Sequence, residues 1–127
     1  MNTSPQDKPW EIRERTFAFV VRVVRFCRHL EREHQVERSL VSQLLRAATR
    51  IGANAEDAQA GQSRADFISK NALCLQEARE THYWLRLLLA ADVASGPEAE
   101  ALRQEASEIM KIFGAIVGSA KRGQESP

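Results

Sequence analysis

Apolar residues recurring at alternating steps of four and three constrain this 127-residue chain more than any other feature. Leu40, Leu44, Ala47, Ile51, Asn54 and Ala58 keep that spacing, as do Leu102, Ala106, Ile109, Phe113, Ile116 and Ala120. At 3.6 residues per turn these positions fall on one stripe, the pattern of a helix packed along a bundle seam. No segment alternates with the period of two that a half-buried strand requires. The four prolines and six glycines fall mostly between or outside the periodic segments. The expected architecture is all-α, a single domain over residues 1–127 folded as an antiparallel up-down-up-down four-helix bundle.

The first helix is expected over about 10–32, with Pro9 suited to its entrance. Phe17, Phe19, Val20, Val23, Val24, Phe26, Cys27 and Leu30 cover nearly half of its circumference, and arginines occupy the rest. The second, over about 37–60, is rich in small residues that allow close approach, and its Gly52 costs roughly 1 kcal/mol of helix propensity. Gly61 suits a helix stop, and Ser63 with Asp66 resembles a capping box for a third helix over about 64–91. Ser95, Gly96, Pro97 and Glu98 supply the next turn; a fourth helix over about 97–120 leaves a flexible tail, 121–127.

Helix three carries two apolar faces. One holds Phe67, Ile68, Leu75, Ala78, Leu85 and Leu89, with Asn71 and His82; the other holds Leu73, Trp84, Leu87, Leu88 and Ala91, beside Glu77 and Glu80. A bundle helix needs only one, so the second reads as an interface between copies, the plainer alternative being a wide monomer core. Gln43, Arg46, Asn54, Glu56, Lys70, Glu77 and Glu80 are threaded through the apolar patterns of helices two and three. Polar groups near packed surfaces cost free energy unless they find partners, so another helix, another subunit or a ligand must satisfy them.

A net charge of +1 argues against coating nucleic acid by bulk charge, but the charge is uneven. Residues 1–50 carry ten Lys/Arg and six Asp/Glu, while residues 51–127 carry eight and eleven. Arginine outnumbers lysine fourteen to four, and its guanidinium grips phosphates or carboxylates in a fixed geometry. Arg15, Arg22, Arg25, Arg28 and Arg32 therefore form a candidate nucleic-acid surface on helix one. No aromatic residues interleave with them as stacking partners, so contact would be to the nucleic-acid backbone. The simpler role is solubility, or salt bridging to Glu11, Glu14 and Glu33.

Cys27 and Cys74 lie within apolar patterns and read as buried thiols of a reduced compartment. With no secretory signal and no apolar run long enough to span a membrane, a cytoplasmic location is expected. Glu31 and His34 match the Glu-x-x-His spacing of a bundle metal site once, without the second copy such a site needs, so no metal or cofactor is expected. Gly61-Gln62-Ser63-Arg64-Ala65 falls one residue short of a nucleophile elbow, but a helix rather than a strand precedes it. Glu77 and Glu80 pair more simply with Arg46 or Arg50 on a neighbouring helix than with each other through a proton, and His82 suits a core or edge position. The chain is not expected to be an enzyme.

Two stretches carry a family resemblance. Gln43-Leu44-Leu45-Arg46-Ala47-Ala48-Thr49-Arg50-Ile51-Gly52-Ala53-Asn54-Ala55-Glu56 resembles the helix-two signature of the bacterial four helix bundle protein family. That family is known for members encoded by intervening sequences within 23S ribosomal RNA genes. Ser63-Arg64-Ala65-Asp66-Phe67-Ile68-Ser69-Lys70 and Gln76-Glu77-Ala78-Arg79-Glu80-Thr81-His82-Tyr83-Trp84-Leu85 resemble its helix-three signature. The resemblance implies an antiparallel bundle assembling as a ring, typically a homopentamer. It also implies kinship with the accessory variability determinant of diversity-generating retroelements, a basic pentamer that binds reverse transcriptase and nucleic acid. This chain departs from that relative in its near-neutral charge, and from many family members in carrying Arg50 for serine and Gln76 for lysine. The family supplies no catalytic residues.

The expected function is a non-enzymatic, ring-forming helical adaptor that contacts structured RNA or a ribonucleoprotein through the helix-one arginines. The rival is a structural module that pairs only with copies of itself. Interface or family-motif residues would be Gln43, Arg46, Arg50, Asn54, Glu56, Lys70, Leu73, Glu77, Glu80, Trp84 and Leu88.

Overall fold

Four helices carry the apolar stripes: α1 (Pro9–Leu30), α2 (Gln35–Gln59), α3 (Arg64–Ala90) and α4 (Pro97–Glu125). They belong to a computed structural model that describes residues 9–30, 35–60 and 63–125. Gly61, Arg32 and the Glu31–His34 pair lie outside the described residues. Each helix packs against its sequence neighbours, and α1 closes the bundle against α4. The α2–α3 seam is the most extensive and α1–α4 the thinnest.

Local chemistry explains the helix boundaries. The Ser63 hydroxyl accepts a hydrogen bond from the Asp66 amide at 3.0 Å, satisfying one of the free donors at the start of α3. At the other end the amides of Val93 and Ala94 both donate to the Leu88 carbonyl, at 2.9 and 3.1 Å, turning the chain out of the helix. Gly96 sits at φ +96°, a conformation open to glycine at little cost, and Pro97 then opens α4. That helix continues to Glu125, beyond the expected end near 120. The Arg64 side chain lies across α4 at Gly123, so close that a Cβ there would meet its guanidinium at 2.5 Å. This contact ties the last turns of α4 to the start of α3.

The core takes Phe19 and Val23 from α1, Leu44 and Ile51 from α2, Leu85 and Leu88 from α3, and Leu102, Ile109 and Phe113 from α4. A Cβ added at Gly52 would stand 3.3 Å from Val20 Cγ2, tighter than an ordinary van der Waals contact, so glycine suits the close approach of α1 and α2 at this point. Cys27 and Cys74 are both buried free thiols. Cys74 Sγ lies 3.7 Å from the Ile51 carbonyl it donates to, and burial pushes its pKa up to about 12. Among the described residues no helix is long and apolar enough to cross a membrane.

The two wide apolar arcs are divided by the bundle rather than used whole. On α1, Phe19, Val23 and Cys27 are buried, but Phe17 is 63% exposed. On α3, Leu88 belongs to the core, with no exposed surface, and not to an outer face. Trp84 is half-buried against the core, while Leu73 remains 39% exposed. Leu88→Ala is therefore expected to act on stability: a loss of roughly 3 kcal/mol in denaturant unfolding, with subunit number unchanged by light scattering.

Candidate functional site

Glu77 is the carboxylate on which the most distinctive surface of the bundle is built. It is a buried charge on α3, 9% exposed, and a buried carboxylate is costly unless paired. Its partner is Arg50 of α2, whose Nη1 lies 3.6 Å from Oε2. Around this pair α2 and α3 leave a cleft of about 280 Å³, bordered by Gln43 and Arg46 on one side and Gln76 and Glu80 on the other. All four are exposed, and none makes a side-chain hydrogen bond or ion pair with a described residue. The cleft thus presents a cationic wall opposite an anionic one. Such a surface suits a partner that itself carries both signs of charge.

The expected interface residues do not all converge here. Gln43, Arg46, Arg50, Glu77 and Glu80 do. Lys70 pairs with Asp57 across the same seam, 3.8 Å apart. Glu56 faces α1 instead, 3.9 Å from Arg13. Asn54 turns back on its own helix, donating from Nδ2 to the Arg50 carbonyl at 3.0 Å. Leu73 lies on the outer side of α3, and Trp84 meets Tyr83 edge to face with ring centroids 5.1 Å apart.

The arginine face of α1 is divided as well. Arg15 donates through Nε and Nη2 to the two carboxylate oxygens of Glu105, at 2.6 and 2.7 Å. Such two-point, charge-assisted bonding is the strong form of an Arg–carboxylate contact, and it raises the Arg15 pKa further. Arg22 reaches Glu98 in the same manner, at 3.5 and 3.3 Å. Both of these partners belong to α4. Arg25 and Arg28 remain exposed, without a partner among the described residues. The expected five-arginine nucleic-acid surface is thus reduced to two described side chains, because α4 claims Arg15 and Arg22. The signal was present in the sequence: Arg15 and Arg22 are seven apart, as are Glu98 and Glu105. On antiparallel helices, matched spacings of two turns bring both pairs together.

A second hollow, of about 560 Å³, lies between α1 and α2 beside Arg13, Glu14, Phe17 and Glu56. Phe17 and Tyr83, exposed at 63% and 51%, are surface features that periodicity alone does not single out. Among the described residues no group of three or more His, Cys, Asp and Glu could hold a metal ion. His82 is half-buried, and its pKa is lowered by burial, then by Arg86 of its own helix and Arg103 of α4. Below the ordinary value of 6.5 the unfolded chain takes up this proton before the folded one does. His82 is therefore expected to cost stability as pH falls below 6.5, and none above it. Unfolding midpoints at pH 7 and 5 should differ less in His82→Gln than in the unsubstituted protein.

Comparison with known proteins agrees with this geometry. A solved structure of a protein of unknown function from the S23 ribosomal protein family of Bacteroides thetaiotaomicron superposes with a TM-score of 0.79 at 36% identity. The match covers 87% of this chain and 97% of that one. No curated protein matches the sequence. A family model described as 23S rRNA-intervening sequence protein matches residues 8–115, most of the bundle, so the chain belongs to the 23S rRNA-intervening sequence protein family.

Proposed function

We propose that this chain is a non-enzymatic, cytoplasmic interaction module that works as an assembly of identical copies. The observation that carries this reading is the pattern of exposed large apolar side chains. Phe17 on α1, and Leu73 and Tyr83 on α3, stand out of a bundle whose core is otherwise well covered. Contact with further copies would cover these side chains. The polar cleft between α2 and α3 adds Arg46 and Glu80, charges of opposite sign without a partner among the described residues, which suits contact with a protein of mixed charge. The family resemblance makes a ring, with five copies the expected number, the natural form of such an assembly.

Light scattering at increasing concentration tests it. The expected result is a discrete mass of several subunits that persists on dilution to micromolar protein. A single-subunit mass at high concentration overturns the reading.

One further observation favours a second reading, contact with structured RNA. Arg25, Arg28 and His29 are exposed near the end of α1, and Arg38 is exposed near the start of α2, the same end of the bundle. A ring would repeat this modest basic patch once per subunit. Retention on structured RNA should then fall steeply with salt and drop in an Arg25→Ala/Arg28→Ala variant. Arg22→Ala should change it little, because Arg22 is already held by Glu98. Retention unchanged by the double substitution sinks this second reading and leaves the first intact.

A further inference from the structure

We infer that the cleft between α2 and α3 binds a small zwitterion of the α-amino-acid class, with Glu77 and Glu80 holding its ammonium group and Arg46 its carboxylate. The inference goes beyond the assembly proposed above and does not depend on it. The register of the two helices sets the geometry. Arg50–Glu77 and Asp57–Lys70 join positions seven residues apart on each helix, so α2 and α3 lie antiparallel in one register. From the first pair, four residues back along α2 reach Arg46 and three forward along α3 reach Glu80. The two therefore stand within one residue of the same level, about 1.5 Å of rise. Both line the cleft, both are exposed, and neither has an ion-pair partner among the described residues. The cleft holds these opposite charges at one level without letting them meet.

Glu77 supplies an independent argument. It is buried, yet its contact with Arg50, at 3.6 Å, is too long for a hydrogen bond, and its carboxylate accepts none from the described residues. An ionised carboxylate has about four acceptor positions, and burial makes leaving them unfilled costly. The cleft is the open side from which donors can reach it. An ammonium group brings several N–H donors on one atom, enough to serve Glu77 and Glu80 together. Opposite them Arg46 presents the planar fork that grips a carboxylate at two points. Arg46, Arg50, Glu77 and Glu80 cancel in charge, so a neutral zwitterion keeps a balance that a simple anion or cation would upset. Ala47 is the one apolar side chain lining the cleft, and Gln43 and Gln76 flank it, so a polar ligand side chain fits best. The volume of about 280 Å³ lies at the lower edge of ligand pockets, about 300–1,000 Å³, which restricts the occupant to a small molecule.

Calorimetric titration of the full chain with L-serine, L-glutamine and L-arginine tests it. The expected result is saturable binding of at least one of them at millimolar concentration or below. The N-acetylated form of that amino acid lacks the ammonium group and its carboxamide form lacks the carboxylate, so neither should bind measurably. Arg46→Gln and Glu80→Gln change exposed side chains without partners among the described residues, so both variants should keep the wild-type helical signal and melting behaviour. Each should weaken binding by about tenfold or more, the loss of one charged hydrogen-bonding partner. No binding by any of the three amino acids overturns the inference. Equal binding of a blocked form overturns the zwitterion, and undiminished binding by both variants overturns the site. Light scattering on the same samples reads subunit number separately, so a failure of binding and a failure of assembly are told apart.

Discussion

A helix in a four-helix bundle can hide only the side that faces its neighbours, and α1 and α3 carry more apolar surface than that side holds. Everything distinctive about this molecule follows from the excess. Closing the core around Phe19, Val23, Leu85 and Leu88 turns Phe17, Leu73 and Tyr83 outward. No rotation of either helix could bury both edges of its arc at once. The bundle thus closes its apolar core and leaves apolar side chains exposed on α1 and α3.

Polar chemistry completes what packing leaves undone. The α1–α4 seam is the thinnest of the four, and it is bridged by Arg15–Glu105 and Arg22–Glu98. The first of these is partly sheltered from water and bonded at two points, where a salt bridge is worth more than the fraction of a kcal/mol typical of exposed pairs. The α2–α3 seam, by contrast, is broad; Arg50–Glu77 and Lys70–Asp57 bridge it, and Gln43, Arg46, Gln76 and Glu80 border a cleft beside the first of these pairs. Arg15, Arg22 and Arg50 serve structure, while Arg25, Arg28 and Arg46 are exposed without a partner among the described residues. Charge counting along the chain cannot separate these two uses.

Membership of the 23S rRNA-intervening sequence protein family fixes the bundle as a shared framework. It does not assign a chemistry; among the described residues the buried carboxylate Glu77 is answered by Arg50, and His82 stands against two arginines. What the described surface carries is exposed apolar side chains at Phe17, Leu73 and Tyr83 and charges of both signs around the α2–α3 cleft.

The sequence by itself determined the helices, because a four-and-three repeat admits one periodic structure and Ser63, Gly96 and Pro97 mark where it must break. It also determined the order of packing, since short connections leave consecutive helices no choice but to lie side by side. It made the polar members of α2 and α3 visible as residues in need of partners. Tertiary structure alone decided which partners those were. Leu88 and Leu73 look equivalent on a helical projection, yet one fills the core and the other faces outward, because only the positions of α2 and α4 fix where the buried arc of α3 ends. Arg15 and Arg25 look equally free on α1, yet Glu105 stands ninety residues further along the chain and within reach of only the first. Periodicity reports the shape of one helix; the fate of a side chain at its margin depends on a neighbour that the local sequence does not contain.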